Sequence, residues 1–108
     1  MVSPELMCNR HLRGEYVECL MIAGSMRLRR RLDGYFEHNC IEPKGLVSRF
    51  SALKREMLAR GYHAKKSLAF ADFSYLPKAQ QNFRIDRNAN FELLQKRCPE
   101  CRRRMRKA

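Results

Sequence analysis

The chain has 108 residues and carries 23 Lys and Arg against 11 Asp and Glu, a formal net charge of +12 with a pI near 10.1. That length supports one small domain, and so large an excess of cations calls for a polyanionic partner. No apolar run approaches the ~20 residues of a membrane-spanning helix, and the start "MVSPELMC" lacks the basic head and apolar core of a secretory signal. With an odd count of five cysteines, this composition leads us to expect a cytoplasmic protein whose thiols are mostly free.

Ser3-Pro4-Glu5 has the residue order of a helix start, with Ser as cap and Pro in the first helical position. It suffices for a short opening turn. The first main helix is expected from near Cys8 to about Leu32, burying Leu12, Cys19, Leu20, Ala23 and Met26, with Gly34 just past its end. Gly14 and Gly24 weaken it by ~1 kcal/mol each relative to Ala. Gly14, beside Glu15, suits a place where a backbone or a ligand comes close. Residues 34–45 read as connector. Leu46, Phe50, Leu53 and Met57 then recur at i, i+4, i+7 and i+11, an amphipathic helix that should stop at a left-handed Gly61.

From Tyr62 to Arg87 no period is sustained. A loop with at most one short helix is expected there, held down by Phe70, Phe73 and Tyr75. A third helix should begin near Asp86 or Asn88, with Phe91, Leu94, Cys98, Cys101 and Met105 on one side and Pro99 as a kink or a fresh start. No strand-like alternation is visible. The fold class is therefore all-α, a single domain over residues 1–108 with three main helices and long connecting loops.

Two polyanions fit the charge. Nucleic acid fits better than an anionic membrane, because the basic runs "RLRRR" and "CRRRMRK" are not followed by the apolar stripe of a membrane-surface helix. A solvated basic surface is the bland alternative. Within the first helix, "HLRGEYVE" places His11, Glu15 and Glu18 in one row at i, i+4 and i+7. Two carboxylates at i, i+3 repel each other unless cations such as Arg10 and Arg13 surround them. One of the pair then acquires a raised pKa suited to acid–base work. Surface charge for the glutamates, and a local ion pair for His11, are the competing readings.

The cysteines offer a second constellation. "HNC" and "CPEC" supply His38, Cys40, Cys98 and Cys101, the ligand count of a structural zinc site. Cys98 and Cys101 also fit the apolar side of the last helix, and core thiols with no bound metal and no cofactor are the preferred reading. None of the five is read as a nucleophile. His63 in "GYHAKK" reads as a polar loop residue.

"HLRGEYVE", preceded by "SPELMCNR", resembles the helix motif of the pyrimidine-dimer DNA glycosylase family, the phage endonuclease V type, which reads His-Leu-x-x-Glu-(His or Tyr)-x-Glu. "LVSRFSALKREMLARGYHAKKS" is similar to that family's second helix, and "LLQKRCPECRRR" to the C-terminal helix of its phage branch. The resemblance implies a DNA repair enzyme that acts on damaged double-stranded DNA as a monomer, without a cofactor. It flips a base, kinks the duplex, cuts the glycosidic bond at a pyrimidine dimer and breaks the strand by β-elimination. In such an enzyme the nucleophile is the α-amine of the processed chain, here that of Val2 once Met1 is removed. Glu18, at the motif's last position, stabilises the sugar intermediate. His11, Glu15, Arg10, Arg13 and Arg97 are the implied substrate and DNA contacts. Val17 stands where well-known members carry arginine, and the chain ends in "RRRMRKA" instead of an aromatic tail. A basic helical protein that holds DNA without cutting it is the alternative.

Overall fold

The computed structural model describes residues 2–68 and 71–107, and among them it is all-α, with no strand. A 3-10 turn, Pro4–Leu6, opens the chain, followed by α1 (Asn9–Arg27) and α2 (Asp33–Glu37). A second 3-10 turn, Pro43–Gly45, leads into α3 (Leu46–Ala59), and α4 (Lys78–Gln81), α5 (Arg87–Arg97) and α6 (Pro99–Lys107) complete the order.

The expected period of α3 holds: Leu46, Phe50, Leu53 and Met57 are all buried. They pack on Leu12, Tyr16, Cys19, Ile22 and Met26 of α1 in the main core, where Tyr16 stacks on Phe50 at 4.9 Å between ring centroids. Leu20 and Ala23, expected in the core, are only partly buried against it. Gly61 takes the left-handed conformation expected of it, at φ +88°. Around it Gly61 N–H donates to Leu58 O (3.0 Å) and Tyr62 N–H to Met57 O (3.0 Å), which closes the helix.

The first helix is shorter than expected. It ends at Arg27, because Arg29 adopts φ +53° and the N–H groups of Arg29 and Arg30 turn back to Met26 O and Ser25 O, both at 3.0 Å. This is the closure that Gly61 performs for α3, made by a residue with no preference for it. Gly34 consequently lies inside α2, within the stretch expected to be connector. Asn39, at φ +57°, ends α2 in the same way.

The third expected helix is two. Pro99 makes a fresh start: it opens α6 after a break at Cys98, whose φ of −119° and ψ of 107° are extended. Asp86 caps α5 through its carboxylate, which accepts from Ala89 N–H at 3.0 Å. Phe73 and Tyr75 pack against the main core as expected; Phe70 lies outside the described residues. The short helix of the middle segment is α4, and His63 is exposed on its loop. No helix among the described residues is long and apolar enough to cross a membrane.

Polar bonds place α5. Glu42 is buried, and its carboxylate accepts from Ile85 N–H (3.0 Å) and the Arg84 guanidinium (3.4 Å). Asn39 exchanges two hydrogen bonds with the Asp86 backbone, at 3.0 and 3.1 Å, and its carbonyl accepts from the Asn90 side chain at 3.2 Å.

Candidate active site

A cleft of about 440 Å³ lies between α1, the segment after α2, and α5. Val2, Arg10, His11, Glu15, Glu18 and Arg97 all line it. Six of the seven residues singled out in the sequence thus meet in one place. Arg13 is the exception: its guanidinium lies 5.2 Å from the centre of the Tyr62 ring, outside the cleft. Gly14 is at the cleft wall, and a Cβ there would meet nothing within 4 Å, so no neighbouring backbone requires a glycine.

The N-terminal arm reaches the cleft because the arginine that caps the C-terminus of α3 holds it. Arg60 donates to Pro4 O (3.1 Å), Met7 O (2.8 Å) and the Asn9 side chain (2.9 Å), while Glu56 anchors the guanidinium at 2.8 Å. Arg104 of α6 adds a bond to Glu5 O at 3.0 Å. Val2 is consequently buried, at 5% exposure.

The two glutamates of the row have different surroundings. Arg49, itself only 9% exposed, grips Glu15 with two nitrogens: Nη2 donates to Oε1 at 3.0 Å and Nε donates to Oε2. Such a two-pronged pair fixes the position of the carboxylate. Glu18 has no such partner among the described residues; burial and the neighbouring charge of Glu15 raise its pKa above the ordinary carboxylate range. One glutamate is locked by an arginine, and the other has no such clamp. Burial, aided by Arg10, lowers the His11 pKa and so favours its neutral ring.

The linear motif does not mark Arg49. Its signal is positional, a lone cation between Leu46, Phe50 and Leu53 on the buried face of α3. Asn90 and Leu93 of α5, and His38 and Asn39, also line the cleft. Leu93 is 48% exposed there, an apolar wall that periodicity alone assigns no role.

The alternative pairing of His38 and Cys40 with Cys98 and Cys101 does not form. Cys98 and Cys101 are joined by Cys8 and His11, with all four ligand atoms within 4.8 Å of one another. His38 and Cys40 are exposed on the opposite side of the cleft. All five cysteines are free thiols, and burial, with Glu15 nearby, pushes that of Cys19 up to about 12, which makes it inert.

No curated protein and no solved structure matches the chain. The family model of the pyrimidine dimer DNA glycosylases matches residues 1–70, which hold the arm, the His11–Glu15–Glu18 row and Arg49, and the chain belongs to that family.

Proposed function

We propose that this chain excises damaged pyrimidines from double-stranded DNA and then cleaves the strand, using the α-amine at its N-terminus as nucleophile and Glu18 as the acid–base group. The observation that carries the reading is that Val2 and Glu18 line the same cleft. With Met1 removed, the amine of Val2 attacks C1′ of the damaged nucleotide. The C1′–base bond breaks, the sugar ring opens, and an iminium links the terminal nitrogen to C1′. Loss of a C2′ proton then expels the 3′ phosphate by β-elimination, and water releases the imine.

An α-amine suits this task because it titrates near about 8, against about 10.4 for lysine, so more of it is unprotonated at neutral pH. The cations Arg10 and Arg97 in the cleft favour the neutral amine further. Glu18, as a carboxylate, balances the iminium charge and accepts the C2′ proton. His11 and Glu15 orient the substrate, with Glu15 held by Arg49. The base must leave the stack to be reached, and Leu93 offers an apolar surface against which a displaced nucleotide packs. The remaining positive charge binds phosphates, so affinity should fall by ~10³-fold or more between 50 and 200 mM salt.

Borohydride trapping tests the reading. Reduction should link protein with an authentic N-terminus covalently to DNA containing an abasic site, and the Glu18→Gln variant should bind that DNA but fail to cut it. Binding without any trapped adduct would leave a DNA-holding protein in place of an enzyme.

A further inference from the structure

Cys8 immediately precedes α1 and His11 is the third residue of that helix; Cys98 immediately precedes α6 and Cys101 is its third residue. Two helix N-termini, about 90 positions apart in the chain, therefore present residue pairs of identical spacing to one point. Cys8 Sγ lies 3.8 Å from Cys98 Sγ and 3.2 Å from His11 Nδ1, and Cys101 Sγ lies 3.6 Å from the same nitrogen. A tetrahedral zinc with its usual bond lengths sets neighbouring sulfurs ~3.8 Å apart and a sulfur and nitrogen ~3.6 Å apart. We propose that Cys8, His11, Cys98 and Cys101 bind a structural zinc ion.

Backbone amides already face two of the sulfurs. Cys8 N–H donates to Cys101 Sγ (3.2 Å) and Cys101 N–H to Cys98 Sγ (3.5 Å), and both helix N-termini put their positive ends toward the sulfurs. Three thiolates, a neutral imidazole and a divalent ion leave one negative charge, which Arg10 flanks, with the Arg103–Glu100 pair beside it. Binding releases three thiol protons to solvent. As ordinary core the same cluster is poor: Cys8, Cys98 and Cys101 form a knot apart from the main core, with only Leu94 and Met105 among the described hydrophobic residues packed against it. Ligation through Nδ1 also leaves the proton on Nε2 of His11, which fixes one tautomer for a ring that lines the cleft. It anchors the residue after Arg97 as well.

Elemental analysis of untagged protein, purified under reducing conditions, should find one zinc per chain. Cobalt exchanged into the site should give thiolate charge-transfer bands and the absorption of a tetrahedral ion. Chelation should lower the melting temperature and zinc should restore it. Cys98→Ser and Cys101→Ser should lose the metal, while the exposed Cys40→Ser keeps it. Reduced wild-type protein that retains no zinc after reconstitution overturns the proposal, as does equal loss from Cys40→Ser or a Cys8–Cys98 disulfide in its place. These readouts need no DNA, so the outcome is independent of the trapping assay.

Discussion

The two halves of the molecule are held together by different physics. Where α1 meets α3, hydrocarbon packs on hydrocarbon: Leu12 and Leu53 are fully buried, and Ile22 and Phe50 nearly so. At the other end, α5 buries no residue completely and α6 buries only Cys101. Its helices are fixed by Asn39, by Glu42, by Arg102 bonded back to Gln95 O at 2.8 Å, and by the cysteine knot. Yet each half supplies part of the cleft, the His11–Glu15–Glu18 row coming from α1 and Arg97 from α5. A nonpolar half gives a stable platform, and a polar, hydrogen-bonded half gives a wall whose placement depends on a few bonds.

The largest effect should come from breaking the platform. Leu12→Ala leaves a cavity in a site with no exposed surface and should cost about 2–5 kcal/mol in urea unfolding. Leu93→Ala, 48% exposed in the opposing wall, should cost under about 0.5 kcal/mol. Equal costs would mean that the two halves are not built differently. Next in size is Arg49→Ala, which strands Glu15 without its partner. It should cost about 3 kcal/mol, at the low end for a broken buried pair because Glu15 keeps some exposure.

Asn39→Ala addresses the polar half. It removes two bonds to Asp86 and puts Ala at a left-handed φ, and should cost about 2 kcal/mol. The informative readout is amide exchange. Protection should fall in α5 and stay unchanged in α1 and α3, as expected if the wall opens separately from the platform. A uniform loss would show one cooperative unit instead.

The platform was also the legible half. Its signal is periodic and local: the spacing of Leu46, Phe50, Leu53 and Met57 and the stop at Gly61 need no knowledge of partners. The His11–Glu15–Glu18 row is legible for the same reason, since one helix fixes its geometry. What stayed hidden depends on contacts between distant segments. "LRRRL" consists of good helix formers, so nothing local announces the left-handed Arg29 that ends α1. Ligand counting paired "CPEC" with "HNC", the other obvious His–Cys motif, whereas the fold brings it to Cys8 and His11. Arg49 looked like any cation until α1 was packed against it.

Glu18 yields the smallest and most diagnostic effect, because it remains partly hydrated. Its folded pKa is raised, chiefly by burial and then by Glu15. Below the pKa of the unfolded chain the group is protonated in both states and contributes no penalty. As pH rises, the unfolded chain releases this proton first and stability falls, until the raised folded pKa is passed. Glu18→Gln should therefore be more stable than wild type at pH 7, with the difference shrinking toward pH 4 in urea titrations. A carboxylate kept in the cleft at the expense of stability predicts that sign. A difference independent of pH would show that the charge of Glu18 is not what the cleft opposes.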